Sequence, residues 1–156
     1  MSKPNKESRV SFRVVNSENW YAVSLLEVAP EQQEFLRESS YYMAECAYGG
    51  IWQPLAICIG EKIIGFIMWG YDTEEDSCWL GGIIIDRHHQ GQGYDGEALS
   101  EVIELLSHEH GYSHFALSYK PTDIALKQLS STLNFLETEE LADDELVTRL
   151  RFSNSE

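Results

Sequence analysis

The sequence predicts one α/β domain, a central mixed and mostly antiparallel sheet flanked by about four helices. Three observations support this. The 156 residues, 43% of them hydrophobic, are enough to bury one core. Predicted segments follow in the order strand, two helices, three strands, helix, strand, helix and two strands. In the middle of the chain, an apolar run breaks into a glycine-rich turn that leads directly into an amphipathic helix.

The N-terminal third predicts one strand and two short helical stretches. Val10 to Val15 alternates apolar and polar side chains, as a half-buried strand does. Trp20 to Leu26 fits an amphipathic turn or two. Pro30 then opens a second helical stretch, which Gly49-Gly50 ends.

Three strands are expected next. Leu55 to Ile59 and Ile63 to Tyr71 flank the short segment Gly60-Glu61-Lys62, which predicts an antiparallel hairpin. After an acidic turn, Ser77 to Asp86 returns as the third of these strands. Gly81-Gly82 interrupts it, so we expect either a β-bulge or a ligand close to the backbone at that point.

The next segment predicts a long helix from about Tyr94 to His110-Gly111, followed by a short strand from His114 to Ser118. One face of the helix is acidic and the other is apolar, so the apolar face is expected to cover the sheet. The apolar stripe consists of Tyr94, Ala98, Leu99, Val102, Ile103, Leu105 and Leu106.

The C-terminal segment predicts one more helix and a final pair of strands. Asp123 can cap a helix that runs to about Leu133, and Asn134 can close it in the left-handed conformation. Phe135 to Leu141 and Glu145 to Phe152 then form the strand pair. The helix side chains expected to face inward are Ile124, Leu126 and Leu129.

Composition excludes several kinds of protein. Residues 1–9 are polar and predict a disordered N terminus, so the single domain is expected to span residues 10–153. No apolar run resembles a signal peptide or a membrane span, which predicts a cytoplasmic protein. Cys46, Cys58 and Cys78 are odd in number and lack ligand spacing, so neither a disulfide framework nor a metal site is indicated.

The formal net charge of −15 is unfavourable for binding nucleic acid or an anionic membrane. The same charge attracts cations toward any cleft lined by carboxylates, which favours a cationic partner. An acidic surface that only keeps the protein soluble is the alternative, because net charge is a property of the whole chain.

The strongest local signal is the sequence IIIDRHHQGQGYDG from Ile83 to Gly96. Glycines at positions 91, 93 and 96 allow a tight turn and close approach of a ligand to the backbone. The first N–H groups of the following helix have no intrahelical acceptor, and the helix dipole is positive there. Backbone donors of this kind predict a binding site for phosphate or pyrophosphate.

The same segment matches the dinucleotide-binding pattern GxGxxG, which raises a nucleotide-dependent oxidoreductase as an alternative. That class requires an acidic residue at the end of a second parallel strand, about 20 residues further on. The strand after the helix ends instead in Ser118, Tyr119 and Lys120. A phosphate-binding P-loop is also excluded, because the chain lacks Gly-Lys-Ser/Thr.

The surroundings of the turn resemble the GCN5-related N-acetyltransferase (GNAT) family, whose hallmark is a strand, a Gln/Arg-x-x-Gly-x-Gly/Ala turn and a helix. Here the turn is His88-His89-Gln90-Gly91-Gln92-Gly93, and the likeness extends from Val10 to Phe152. Within the family, the chain looks like the bacterial spermine/spermidine acetyltransferase branch. The segments in that branch's order are Ala29-Pro30-Glu31-Gln32-Gln33-Glu34-Phe35, Pro54-Leu55-Ala56-Ile57 and Ile64-Gly65-Phe66-Ile67-Met68-Trp69.

The resemblance implies the GNAT acyltransferase fold and acetyl-CoA as cofactor. In the family, coenzyme A lies between two splayed strands, with its pantetheine arm against the first strand and its pyrophosphate on the amides of the turn. Asp123 falls at a position where the family usually has Asn. The implied cofactor-binding residues are Ile83, Ile84, Ile85, His88, Gln90, Gly91, Gln92, Gly93, Tyr94, Asp95, Gly96 and Asp123.

The catalytic residues depart from the family pattern. Relatives carry a tyrosine on the late helix, aimed at the coenzyme A sulfur, and Ser130 stands at that position. Ser130 is therefore the candidate catalytic residue, and the alternative is a neutral helix serine, with a water or another side chain as the acid. The strand from Ser77 to Ile85 also lacks the carboxylate that often serves as base.

Two departures affect cofactor binding. His88 replaces the Gln/Arg that opens the motif, and Gln92, Asp95 and Glu97 replace lysines that often flank the glycines. Carboxylates there compete with phosphate for the positive end of the helix, which predicts weak coenzyme A binding. A protonated His88 or His89 could offset this, or both histidines are exposed and without a role.

The acceptor is expected to be a small cationic amine, with a polyamine as first choice, since carboxylates and aromatic faces suit such a ligand. Each aromatic residue has the alternative of a core position. A catalytically degraded fold that serves as a binding or regulatory module is the second hypothesis for the protein, and homodimers are common in the family. The candidate acceptor residues are Glu34, Glu45, Tyr48, Trp69, Asp72 and Trp79.

Overall fold

The computed structural model describes residues 8–153, which form a seven-stranded sheet with four α-helices. The strand order is β1-β2-β3-β4-β5-β7-β6, and all neighbours are antiparallel except β4 and β5, which are parallel. The predicted mixed, mostly antiparallel sheet is therefore confirmed. The strands are β1 (Ser11–Val14), β2 (Gln53–Ile59), β3 (Lys62–Asp72), β4 (Ser77–Ile85), β5 (His114–Tyr119), β6 (Leu136–Ala142) and β7 (Glu145–Arg151). The helices are α1 (Trp20–Ser24), α2 (Ser39–Tyr48), α3 (Tyr94–His110) and α4 (Ile124–Thr132).

The elements with strong local patterns lie where the sequence predicts them. The β2–β3 hairpin is antiparallel and turns at Gly60, whose φ is +56°. Gly111 ends α3 in the left-handed conformation, and Asn134 adopts φ +73° after α4. Asp123 caps α4, because its carboxylate accepts the Leu126 N–H at 3.2 Å.

The prediction of one helical stretch from Pro30 to Gly49 is wrong. Pro30–Gln32 forms only a single 3-10 turn, and α2 begins at Ser39. Between them, the Arg37 N–H donates to the Tyr42 hydroxyl at 3.0 Å and not to a helical carbonyl. This loop between the 3-10 turn and α2 becomes one wall of the cleft described below.

The core has two layers, one on each face of the sheet. The layer under α3 and α4 is larger, and Leu99, Val102 and Leu106 of α3 lie fully within it. The layer under α1 and α2 is smaller. One predicted core position is wrong: Ile124, the first residue of α4, is 53% exposed, whereas Leu126 and Leu129 pack against the core. Within residues 8–153, no helix combines the length and apolar character that crossing a bilayer requires.

The bulge predicted at Gly81-Gly82 is confirmed. Phe66 pairs with Ile84 and Met68 pairs with Gly81, so two residues of β4 oppose one residue of β3. Gly82 adopts φ +59°, and a Cβ there would lie 3.3 Å from the Tyr42 ring. Glycine is therefore needed for both the conformation and the close packing of α2.

Shortly before the bulge, β4 separates from β5. Within the described residues these two parallel strands pair only at Cys78–Phe115 and Trp79–Ala116. From Leu80 and Leu117 onward they diverge, which leaves the β5-facing backbone of β4 without a strand partner. The predicted pair of splayed strands is present, and the gap between them opens into the cleft.

Replacing Ser39 with alanine is expected to destabilise the fold by about 0.5–1.5 kcal/mol, because a buried hydrogen bond between α2 and α1 is lost while the Val23 carbonyl keeps the Leu26 N–H as a partner. Ser39 is fully buried and donates to the Val23 carbonyl at 2.8 Å, which ties α2 to α1. Urea denaturation of Ser39→Ala and of the exposed neighbour variant Ser40→Ala measures this. The neighbour is expected to stay within about 0.5 kcal/mol of wild type; equal effects of the two changes would contradict the assignment.

Candidate active site

A cleft of about 990 Å³ lies where β4 and β5 separate. The 3-10 turn and α2 form one wall, and the end of β5, α4 and the β6–β7 turn form the other. The floor consists of β3 and β4, where Met68, Leu80 and Gly81 line the cleft. The start of α3 closes one end. One end of an elongated ligand that lies between the strands would therefore reach the glycine turn.

The three isoleucines of β4 are divided by the alternation of the strand. Ile83 and Ile85 line the cleft, whereas Ile84 is fully buried in the layer under α1 and α2. A role for Ile84 at this site is therefore confined to its backbone, as the family resemblance implies. Asp123, the cap of α4, lines the opposite wall.

The glycine turn is built on Asp86. Its carboxylate accepts the Glu27 N–H at 2.8 Å and the His88 N–H at 3.2 Å. Burial alone would raise the pKa of Asp86, but these hydrogen bonds outweigh it and hold the pKa below its usual value. Asp86 therefore remains charged and holds the start of the turn in place.

Gly91 and Gly93 adopt φ +80° and +82°, which only glycine adopts without strain. The space beside Gly91 is open, since a Cβ there would meet nothing within 4 Å. Gln90 is tied down, because its side-chain amide donates to Gln32 at 2.7 Å and to the Ile85 carbonyl at 2.9 Å. Four of the predicted turn residues line the cleft, and these are Gln90, Gly91, Tyr94 and Asp95.

The two histidines of the turn have different surroundings. His88 has a side chain that is 65% exposed, and its Nδ1 lies 3.1 Å from Asp86, outside the cleft. His89 lines the cleft, and its buried Nδ1 has no hydrogen-bond partner within residues 8–153. The histidine that faces the cleft is thus His89, the neighbour of the residue that opens the motif.

The first turn of α3 carries two carboxylates, which have different surroundings. Asp95 lines the cleft, and its carboxylate accepts the Gly96 N–H at 2.8 Å, so it occupies one of the helix donors. Glu97 faces away and pairs with Arg9, with Nε at 2.8 Å from Oε1. The expected competition with phosphate therefore concerns Asp95, because the charge of Glu97 is balanced.

Sequence reasoning missed Arg9, which the predicted disordered N terminus included. Ser8 and Arg9 contact α3 at Glu97, and the Arg9 guanidinium also lies 4.4 Å from the centre of the Tyr94 ring. No periodic pattern connects residues 88 positions apart, so nothing in the sequence indicated the contact. Residues 1–7, the rest of that segment, lie outside the described part of the chain.

Ser130 does not reach the cleft surface. It is 1% exposed, and its hydroxyl donates to the Lys127 carbonyl at 3.0 Å. Tyr119, at the end of β5, is among the residues that line the cleft; it is 2% exposed, and its hydroxyl donates to Glu137 at 2.7 Å. Burial and then the bond to Glu137 raise the pKa of Tyr119 to about 12, and the neighbouring Ser130 acts in the opposite direction.

Of the candidate acceptor residues, three line the cleft and three do not. Glu34, Glu45 and Trp79 line it. Trp69 packs on the other face of the sheet, 5.2 Å from the His110 ring. The carboxylate of Asp72 accepts the Glu74 N–H in the β3–β4 turn, and Tyr48 is 91% exposed at the end of α2.

The cleft contains more negative charge than the sequence indicated. Burial raises the pKa of Asp123, and the charge of Glu34 adds to the effect, so these two carboxylates act on each other across the cleft. Arg37 and Lys120 are the two permanently basic side chains on its surface. The carboxylates lining the cleft are Glu31, Glu34, Glu45, Asp95, Asp123, Asp143 and Glu145.

The thiols and the other polar clusters suggest no further chemistry. Cys46, Cys58 and Cys78 are free, and burial raises the pKa of each thiol, which disfavours the reactive thiolate. Among residues 8–153, no group of three or more His, Cys, Asp or Glu side chains is arranged to hold a metal ion.

Together, the splayed parallel strands and the glycine turn at the start of α3 define a class of domain that holds an elongated ligand with an anionic group. Comparison with known proteins gives the family. The profile of the Acetyltransferase (GNAT) family matches residues 18–128. The chain belongs to this family and is an N-acetyltransferase that depends on acetyl-CoA. No curated protein sequence matches the chain.

Solved structures that are similar to this chain support the assignment of the fold. A domain from Methanocaldococcus jannaschii has a TM-score of 0.74 at 15% identity, covering 94% of this chain and all of that one. RimL, a ribosomal L7/L12 alpha-N-protein acetyltransferase in complex with coenzyme A, has a TM-score of 0.72 at 12% identity, and the match covers 94% of this chain and 96% of RimL. The Vibrio cholerae spermidine N-acetyltransferase in complex with CoA and spermine has a TM-score of 0.71 at 13% identity, and the match covers 92% of this chain and 95% of that one.

Replacing Asp95 with asparagine is expected to tighten coenzyme A binding about two- to fivefold, because a carboxylate at the positive end of α3 competes with phosphate. Titration calorimetry of Asp95→Asn against wild type measures the change. Glu109→Gln removes the same charge from the exposed far end of α3 and is expected to leave affinity unchanged. An unchanged or weaker affinity of Asp95→Asn would show that this carboxylate does not face the bound anion.

Proposed function

We propose that this acetyltransferase transfers the acetyl group to a primary amine of a small cationic acceptor, with a polyamine such as spermidine as the first candidate. The observation that carries this proposal is the surplus of carboxylates over basic side chains on the cleft surface. Tyr41, Trp52 and Trp79 also line the cleft, and guanidinium groups of Arg37 and Arg149 already lie 4.5 Å and 5.5 Å from the centres of the Tyr41 and Trp79 rings. Carboxylates and aromatic rings together recognise alkylammonium groups through ion pairing and cation–π contact.

The residues of the cleft fit coenzyme A. The exposed backbone of β4 beside the splay suits the amides of a pantetheine arm, and Gln90 to Gly96 present backbone donors to the diphosphate. The open space beside Gly91 leaves room for a phosphate group. Bound acetyl-CoA supplies an activated thioester, and the protein places an amine beside it, which by proximity alone contributes roughly 7–11 kcal/mol.

The acceptor is proposed to enter between the 31–45 segment and the β6–β7 turn. Glu34 and Glu45 line the first side, and Asp143 and Glu145 line the second. Glu145 is held in position, because its carboxylate accepts a hydrogen bond from the Ser118 hydroxyl at 2.7 Å. Ser118 lies on β5, one of the two splayed strands. A ligand with several ammonium groups can satisfy carboxylates on both sides at once, which favours a polyamine over a monoamine.

A protein N terminus is the second acceptor class, because structures of this fold include enzymes that act on ribosomal proteins. The acidic cleft favours a positively charged acceptor of either kind. The two differ in size: a polyamine fits inside a cleft of about 990 Å³, whereas a protein substrate must also contact its rim.

Tyr119 is the proposed proton donor to the leaving thiolate, in place of the family tyrosine that Ser130 replaces. It lies at the end of β5, one of the two splayed strands, among the residues that line the cleft. The predicted catalytic role of Ser130 takes an indirect form in this scheme, because Ser130 lowers the pKa of Tyr119 while its own hydroxyl donates to the Lys127 carbonyl. Since the pKa of Tyr119 is about 12, the phenol remains protonated and able to donate up to about pH 10.

The wild-type protein is expected to release thiol from acetyl-CoA fastest with spermidine or spermine in a panel that includes a monoamine and a short peptide. Glu34→Gln is expected to raise the KM for spermidine about two- to fivefold with little change in kcat, since one partly exposed ion pair is lost. Glu38→Gln removes a charge from the same segment outside the cleft and serves as the control.

Because the attraction is electrostatic, kcat/KM for spermidine is expected to fall as salt concentration rises. Turnover of the peptide but not of the polyamines would shift the assignment to a protein N terminus. Coenzyme A binding without turnover of any amine would support the alternative of a binding or regulatory module.

Tyr119→Phe is expected to lower kcat about 100-fold, because a positioned proton donor contributes on that scale. Ser130→Ala is expected to have a much smaller effect, since its hydroxyl acts only through Tyr119. Steady-state rates across pH, together with circular dichroism to check folding, measure both variants. Tyr112→Phe is the control for loss of a phenol, because Tyr112 stacks on Tyr71 and does not line the cleft. A larger effect of Ser130→Ala than of Tyr119→Phe would restore Ser130 as the direct donor.

A further inference from the structure

The segment before β1 crosses the first turn of α3 and is fastened there by Arg9. The guanidinium makes two hydrogen bonds, from Nε to Glu97 at 2.8 Å and from Nη2 to the Gln92 carbonyl at 3.0 Å. It also lies 4.4 Å from the centre of the Tyr94 ring. The backbone N–H of Arg9 and the hydroxyl of Ser8 donate to the same Glu97 carboxylate.

The contact with the Gln92 carbonyl has a consequence for the neighbouring amide. In a trans peptide the C=O and the following N–H point in opposite directions. Holding the Gln92 carbonyl toward Arg9 therefore turns the Gly93 N–H away from the guanidinium. Gly93 precedes α3, and the first N–H groups of the helix have no intrahelical acceptor.

Glycine makes this orientation hard to maintain without help. Gly91 and Gly93 flank Gln92, and glycine loses more conformational freedom on ordering than any other residue. The peptide that joins Gln92 to Gly93, with Gly91 one residue earlier, would sample several orientations. Arg9 is a restraint on that peptide from outside the turn.

Arg9 also balances charge at the same place. Burial alone would raise the pKa of Glu97, but the hydrogen bonds from Arg9 and Ser8 outweigh it and hold the pKa below its usual value. The pair is thus charged and nearly neutral in sum. Without Arg9, Glu97 would add a second uncompensated carboxylate to the helix end where Asp95 already lies.

We propose that Arg9 is a positioning residue for coenzyme A: by holding the Gln92 carbonyl and Glu97, it preorganises the glycine turn for the diphosphate. The inference rests on the proposed site at Gln90 to Gly96. Arg9 does not line the cleft, so it acts through the turn and not on the ligand.

Arg9→Ala is expected to weaken coenzyme A binding about five- to tenfold by calorimetry, the net scale of one ordinary hydrogen bond, because Arg9 acts only through the turn. It should raise the KM for acetyl-CoA by a similar factor and leave kcat at saturation unchanged. Arg13→Ala is the matched control, because it removes the same charge from β1, where the guanidinium contacts only the Gly60 carbonyl at 3.3 Å. Affinity of Arg9→Ala within twofold of the control would overturn the proposal.

Two further variants separate geometry from charge. Arg9→Lys keeps the charge but cannot hold both acceptors with a planar fork, so it should bind nearly as weakly as Arg9→Ala. Glu97→Ala removes a negative charge yet releases Arg9, so it should also bind more weakly. If Arg9→Lys binds coenzyme A as tightly as wild type, or if Glu97→Ala binds it more tightly, then only the charge at this position affects affinity. Either result would overturn the proposal that Arg9 positions the turn.

A ligand series tests whether Arg9 touches the cofactor. Coenzyme A and 3′-dephospho-coenzyme A share the diphosphate, so the ratio of wild-type to Arg9→Ala affinity should be the same for both. A ratio that falls to one with the dephospho compound would place Arg9 on the 3′-phosphate and overturn the indirect role. Wild-type protein that binds neither compound would overturn the proposed site itself, and no variant is needed to see that outcome.

Discussion

The fold and the site depend on the separation of β4 from β5. The two edges of β4 are disturbed differently: the bulge at Gly82 lies in the pairing with β3, and the loss of pairing after Trp79–Ala116 leaves the edge toward β5 as a free backbone surface. In the middle of a sheet such a surface is costly unless something else satisfies it. Tyr42 packs over the bulge from one side, and the cleft occupies the other.

The second constraint is electrostatic, because a chain with a net charge of −15 must hold the anionic end of coenzyme A. In the proposed site the holding groups are backbone donors, since peptide N–H groups attract phosphate without adding mobile positive charge. Carboxylates line the part of the same cleft toward the 31–45 segment and the β6–β7 turn. On this proposal, one end of the cleft holds an anion and the other receives a cationic acceptor.

Much of the fold could be predicted, and the failures have a physical cause. The β2–β3 hairpin, α3 and the Asp123 cap follow from patterns within a few residues, and all three are present. The break between Pro30 and Ser39, where the Tyr42 hydroxyl takes a backbone N–H, was not predicted. In the site, the glycine turn was foreseen, but Tyr119 was not, because its place in the cleft comes from the pairing of β5 with β4 and β7.

The sequence by itself determined most of the elements and the position of the glycine turn, and it predicted that this turn binds an anion. Each of these depends on backbone conformation and on neighbours along the chain, so it leaves a local pattern. Only the tertiary structure decided that Arg9 meets Glu97, that Tyr119 meets Glu137 and that Glu34 faces Asp123. Those contacts join residues far apart in the chain, where no periodicity records which side chains will share a surface.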